Sequence, residues 1–384
     1  MKKSNRLWLL ALTLIAVLVL AACGDDGDAV DEPDDETDPD TELEDEPDEE
    51  DPEDDPADDP EEGDDEDDPA DDPDADDEDA DDTAADGEFV TDLTFGTGGT
   101  AGVYYPLGNE YARLFEEHIE EVPSVNAIES DGSVDNLAQI FGGSMQIGLS
   151  QNNTAIEATE GIGQFEGEGA LDNVGWLGQL YPEVAQVITL EESGFESVAD
   201  LEGARIAVGA PGSGTRAVAE AILDAYGIGE GDYEMYDESF ADARSLMQDG
   251  NLDASIEILG APAASLQELA ATNDVRLLPL DDEIATQIED ETDFVQYTVE
   301  ADVYDFLDED VPTVSVFAGA VASMDQVSPE LGYELTRVLY EHAEDISLEQ
   351  GNLIDIDDAL LGSGDLPLHP GAEEYFEEQG IERQ

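Results

Sequence analysis

A nearly uninterrupted apolar run, Leu7 to Leu20, opens the chain. The next 65 residues, 24 to 88, hold almost no aliphatic side chain beyond Val30 and Leu43, and from Phe89 to Gln384 short apolar runs alternate with helical patterns. In this body Leu93-Thr94-Phe95 predicts a strand, which leaves through a glycine-rich turn. A helix follows, with Leu107, Tyr111, Leu114, Phe115 and Ile119 on one face at helical spacing. Ser133-Val134-Asp135-Asn136 opens a second helix carrying Leu137, Ile140 and Phe141, and Met145 to Leu149 reads as the next strand. Further strands are predicted at Val184–Leu190, Arg205–Gly209, Asp253–Ile258 and Thr313–Val321. Ser197-Val198-Ala199-Asp200 has the form of a capping box. Val218, Ile222 and Leu223 mark a helix that stops at Gly227, and Ser328-Pro329 caps one bearing Leu331, Leu335, Val338 and Leu339. Strand–helix alternation predicts α/β layers, with a ligand crevice at the carboxyl ends of the strands.

The opening run has a basic flank, Lys2, Lys3 and Arg6, and is short for a membrane span, so it reads as a signal peptide over 1–22. It ends at Leu20-Ala21-Ala22-Cys23, which resembles a bacterial lipobox. That resemblance implies cleavage before Cys23, lipid on its thiol and anchorage to the bilayer. Cys23 is the only cysteine, so the exported body has no disulfide and no cysteine ligand or nucleophile.

Charge changes the picture twice. Residues 24–88 hold 41 of the 103 acidic residues and no Lys or Arg. With so little to bury, the segment 23–88 is expected to be a disordered acidic linker spanning roughly 45 Å or more. The body keeps 62 acidic residues against seven Arg and no Lys, a charge near −55. Such a charge is tolerable where molar salt shrinks the Debye length to about 3 Å, which points to a halophilic setting and argues against nucleic acid as partner.

The chemistry-bearing residues are few. Gly96-Thr97-Gly98-Gly99-Thr100-Ala101 has the spacing of a dinucleotide fingerprint, but export and the bulk of Tyr104-Tyr105 weigh against a nicotinamide cofactor. Gly209 to Thr215 lacks the lysine of a phosphate loop, and Pro211 breaks a nucleophile elbow at Ser213. Two glycine turns leading into helix N-termini can instead hold a carboxylate by backbone N–H groups and the positive dipole end, facing each other across a cleft. His118 among glutamates reads as a solvated face, His342 as packing or capping and His369 as a turn residue. None has metal-ligand spacing, so neither metal nor cofactor nor catalysis is expected.

Taken together, Thr97-Gly98-Gly99-Thr100-Ala101-Gly102-Val103-Tyr104-Tyr105-Pro106-Leu107-Gly108, Gly132-Ser133-Val134-Asp135-Asn136-Leu137 and Leu149-Ser150-Gln151-Asn152-Asn153 resemble the TRAP-associated extracytoplasmic immunogenic (TAXI) solute receptors. The resemblance continues through Asp200 to Arg205, the turn ending at Thr215, Gly250 to Ala254, Gly260-Ala261-Pro262 and Leu368 to Ala372. It implies a bilobed type II periplasmic-binding-protein-like fold, with 89–189 plus 297–384 as lobe one and 190–296 as lobe two. It further implies capture of a small organic acid or amino acid, dicarboxylate- or glutamate-like, for a TRAP membrane permease. A sensory receptor and an exported enzyme on the same scaffold are the alternatives. Ligand contacts would come from Thr97, Gly98, Gly99, Tyr104, Ser133, Asn136, Gln151, Asn152 and Asn153 on one side. Gly212, Ser213, Gly214 and Thr215 would supply them on the other, with Arg216 as a counter-charge. Asn153 stands where the family has Asp, and Ala204-Arg205 replaces a Lys-bearing strand start.

Overall fold

A computed structural model describes residues 89–383; the signal segment, Cys23 and the acidic stretch to residue 88 lie outside the described residues. The first part of the body runs β1 (Asp92–Gly96), α1 (Tyr104–His118), β2 (Ser124–Ile128), α2 (Ser133–Phe141), β3 (Ile147–Gln151), α3 (Asn152–Glu160) and β4 (Val174–Leu190). There follow β5 (Arg205–Ala207), α4 (Thr215–Ala225), β6 (Glu234–Tyr236), α5 (Phe240–Gln248), β7 (Ala254–Leu259), α6 (Ala264–Ala270), β8 (Val275–Leu277) and α7 (Asp282–Glu291). β9 (Val295–Val299), β10 (Val311–Ser323), α8 (Pro329–Glu341) and α9 (Pro370–Gln379) complete it. No helix among these residues is long and apolar enough to cross a membrane.

The ten strands among the described residues share one mixed sheet, ordered β2-β1-β3-β10-β4-β7-β5-β6, with β8 beside β4 and β9 beside β10. The α/β, bilobed architecture expected from the sequence is the one observed. Its construction turns on two long strands. β10 pairs antiparallel with β9 over 311–315 and with β3 over 318–322, while β4 pairs with β10 over 174–184 and with β7 over 184–189. Each long strand therefore starts in one half and ends in the other. The change of partner falls near Val184 and Ser315, inside continuous strands. A change of hydrogen-bond partner along one strand leaves no turn residue to mark it.

One core cluster runs through both halves, joining Leu107 and Phe115 to Met247, Leu259 and Leu266, and each half adds a cluster of its own. Val218, Ile222 and Leu223 of α4 meet Ile206, Ile256 and Ile288 in the second half, and Leu137, Phe165 and Trp176 belong to a cluster in the first. Local signals worked where they were strong. The Ser328 hydroxyl accepts from Leu331 N at 3.1 Å, and the Ser197/Asp200 capping box is formed, although it opens only a 3₁₀ turn. His369 is more than a turn residue: its ring caps α9, Nδ1 accepting from Gly371 N at 3.2 Å and Nε2 donating to the Val327 carbonyl at 3.1 Å.

Candidate ligand-binding site

The two glycine turns line one cleft. A cavity of about 450 Å³ lies between the halves, walled by residues 98–104, 129–133 and 213–215 together with Asp135, Gln151, Glu183, Ser239, Phe240 and Ala241. The halves touch around it: Asp135 N donates to the Gly212 carbonyl at 3.0 Å, and Ser265 Oγ to the Ala101 carbonyl at 2.7 Å. Glycine leaves room for side chains where they approach. A Cβ on Gly214 would sit 2.2 Å from Gln151 Oε1 and 2.5 Å from Thr154 Oγ1. Gly209, with φ +95°, makes the turn into α4 in a conformation that side chains disfavour.

Four helices begin at this wall. Val103–Tyr104 opens α1, Gly132–Ser133 opens α2, Gly214–Thr215 opens α4 and Ser239–Phe240 opens α5. Their positive dipole ends lie at this wall, with the first-turn N–H groups other than those of Asp135, taken by the Gly212 carbonyl, and Asp242, taken by the Ser239 hydroxyl, an arrangement suited to an anion. No Arg, Lys or His lines the cavity, whereas Glu129, Asp131, Asp135 and Glu183 do. Positive potential therefore comes from backbone and negative potential from side chains.

Glu183 is the distinctive wall residue. It lies on β4 and is 3% exposed. Its carboxyl accepts from the Tyr104 hydroxyl at 2.8 Å and the Tyr181 hydroxyl at 3.5 Å. Burial pushes its pKa up to about 8, against the pull of the Tyr104, Gln151 and Tyr181 hydrogen bonds. The same burial, with the Glu183 charge nearby, holds the Tyr104 hydroxyl well above its ordinary value. Gln151 Oε1 and Ser213 Oγ, both in the wall, are buried without a hydrogen-bond partner. Buried polar atoms left unpaired are costly, and a ligand in the cavity would supply their partners.

Of the thirteen residues singled out from the sequence, Gly98, Gly99, Tyr104, Ser133, Gln151, Ser213, Gly214 and Thr215 line the cavity. Five stand outside its wall. The Thr97 hydroxyl donates to the Ile128 carbonyl at 2.6 Å. Asn136 Nδ2 bridges the Thr97 and Leu149 carbonyls, both at 2.8 Å. Asn152 donates to the Gly362 carbonyl and accepts from Phe317 N, each at 2.8 Å, fastening α3 to β10. Gly212 joins the halves through its carbonyl. Asn153 is buried with both amide atoms unpaired. Arg216 turns away from the cavity to Glu220 at 2.8 Å and Asp237 at 3.3 Å, so it supplies no counter-charge there.

Sequence reading missed Glu183 and Phe240. Glu183 had one available signal, as the only charge within the long apolar strand 174–190. Phe240 had none, because only folding brings the start of α5 to the loop at Gly102, which a Cβ would place 3.9 Å from the Phe240 ring.

The profile of the NMT1-like family matches residues 95–380. Among solved structures, the alkanesulfonate-binding protein SsuA from Xanthomonas axonopodis pv. citri, bound to MOPS, is 18% identical with a TM-score of 0.47, covering 75% of this chain and 84% of its own. A putative L-cystine ABC transporter protein from Listeria monocytogenes is 15% identical, with a TM-score of 0.42 and coverage of 73% and 99%. PhnD1 from Prochlorococcus marinus, in complex with methylphosphonate, is 12% identical, with a TM-score of 0.42 and coverage of 76% and 91%.

Proposed function

The chain belongs to the NMT1-like family, and on that premise we propose that it is an extracytoplasmic solute-binding receptor for a small amino acid or organic acid. The carrying observation is the cleft of about 450 Å³ between two halves joined by crossing strands, with four helix N-termini at its wall. A carboxylate of the ligand sits at the N-termini of α1, α2, α4 and α5. Gln151 and Ser213 complete its hydrogen bonds. Glu183 then selects the other end of the molecule. An ammonium group fits its carboxylate, and with Glu129, Asp131 and Asp135 also in the wall and no Arg, Lys or His there, a zwitterionic amino acid is favoured over a dicarboxylate. The motifs over 97–108, 132–137 and 149–153 support the finer TAXI assignment, and with it delivery to a TRAP permease. The lipobox at Cys23 supports a lipid anchor on the outer face of the membrane, with the acidic segment as spacer. The histidines lie away from the cavity wall, which favours capture over catalysis.

The test is calorimetric titration of the purified protein in about 2 M NaCl with amino acids and dicarboxylates across pH 6 to 9. Binding an ammonium against Glu183 expels its proton, so affinity should rise with pH toward about 8, with nearly one proton released per ligand at pH 6 and almost none at pH 9. A dicarboxylate held by protonated Glu183 gives the opposite slope and would overturn the amino-acid reading. No binding by either class would remove the small-acid reading altogether.

A further inference from the structure

Two of the chain's three histidines, 224 positions apart, come face to face where α1 and α8 end. His118 is the last residue of α1 and His342 the C-cap of α8. Their rings stack with centroids 3.6 Å apart and planes 19° from parallel. His342 Nδ1 lies 3.0 Å from Asp345 Oδ2. One ligand atom from each of the three residues falls within 4.8 Å of the others.

The site is held from beneath. The Tyr111 hydroxyl donates to the Leu339 carbonyl at 2.9 Å, fixing α1 along α8, and Glu110 accepts from Ser347 N at 2.7 Å just past Asp345. Electrostatics also favour a cation. Both histidines stand at helix C-termini, the negative dipole ends. The helices' only Arg or Lys residues, Arg113 and Arg337, are already paired with Glu117, Glu334 and Glu341. No hydrogen bond from the His118 ring is found among the described residues, which leaves its lone pair available.

We propose that His118, His342 and Asp345 form a surface site for a divalent first-row transition-metal ion that ties the C-terminal ends of α1 and α8 together. Two imidazoles and a carboxylate suit Zn²⁺ or Cu²⁺ far better than the alkaline-earth ions, which prefer all-oxygen sites. Bonds of about 2.0–2.1 Å require ligand atoms roughly 3.3 Å apart. The His342–Asp345 pair, at 3.0 Å, is already near that spacing, and rotation of the His118 ring out of the stack turns its lone pair toward the same point. Water fills the remaining positions. Sequence spacing hides the site because its parts come from distant helices, which is why no metal was expected.

The test adds one equivalent of Cu²⁺ to the full chain in about 1 M NaCl with excess Mg²⁺ to saturate diffuse carboxylate binding, read by electron paramagnetic resonance. The expected spectrum carries nitrogen couplings from two imidazoles, falling to one in either His118→Gln or His342→Gln. Zn²⁺ should displace the Cu²⁺ and raise the wild-type melting temperature by a few degrees, but not that of His118→Gln. Asp345→Asn, which keeps both rings, should weaken binding about tenfold and serves if His342→Gln folds poorly by circular dichroism. An oxygen-only spectrum, or nitrogen couplings that survive both histidine substitutions, would overturn the proposal.

Discussion

Two carboxyls are buried in neighbouring strands of this sheet and are treated in opposite ways. Glu257 on β7 is fully buried and meets Arg244 of α5 in a two-pronged ion pair, one arm at 3.1 Å, with the Ser255 hydroxyl donating at 3.3 Å. Its surroundings are fully paired too: the Tyr304 hydroxyl donates to Gln186 Oε1 at 2.7 Å and accepts from Ala263 N at 2.9 Å. Glu183 on β4 is as deeply buried, yet its partners are two tyrosine hydroxyls, and the atoms around it include the unpaired Gln151 Oε1 and Ser213 Oγ. The contrast separates two uses of a buried charge. Around Glu257 the fold compensates the charge itself and closes the region. Around Glu183 compensation is left to whatever enters the cavity.

The largest effect should come from breaking the compensated side. Arg244→Met leaves Glu257 buried without a counter-ion and should cost about 3–5 kcal/mol of stability, measured by guanidinium unfolding. Adding Glu257→Leu should recover most of it. On the open side, Glu183→Gln removes no ion pair, so the protein should stay folded while amino-acid affinity falls about 100-fold in calorimetry, near 2.7 kcal/mol. If Glu183→Gln unfolds the protein and leaves affinity intact in what remains folded, the two carboxyls play the same role and the contrast fails.

The pH dependence sharpens the distinction. Folded Glu183 holds its proton up to about 8, whereas the unfolded chain releases it near 4.5. Its contribution is fully present below pH 4.5 and is lost as pH rises through 8. Wild type minus Glu183→Gln, compared by unfolding at pH 5 and pH 9, should therefore slope downward. His369 supplies an opposite slope at lower pH. Burial depresses its imidazole from 6.5 to about 4, so its contribution is present above 6.5 and lost as pH falls toward 4. His369→Gln should remove that acid-side loss without touching ligand binding. The smallest effect is expected from Ser213→Ala. Deleting one unpaired hydroxyl in the wall should weaken binding three- to tenfold, about 1 kcal/mol, and leave unfolding unchanged.

Legibility followed the range of the interaction. The turn at Gly209–Thr215 and the loop at 98–104 could be read because each carries its geometry in adjacent residues, and both reach the cavity. Asn136 and Asn152 looked equally suited to a ligand. Their amides are taken by backbone groups as distant as Phe317 and Gly362, and a polar side chain in sequence says nothing about who has already claimed it. Arg216 failed as a counter-charge for the same reason, since Asp237 lies 21 positions away.

The sequence by itself determined the alternation of strands and helices and the glycine turns that open helices. Each depends on residues within a few positions of one another, where side-chain chemistry acts directly on the local backbone. Only the tertiary structure decided that β4 and β10 carry the chain between the halves, that Glu183 rather than Arg216 faces the cavity, and that His118 meets His342. Those outcomes depend on which distant groups compete for the same hydrogen bond or fill the same space, and that competition exists only after the chain has folded.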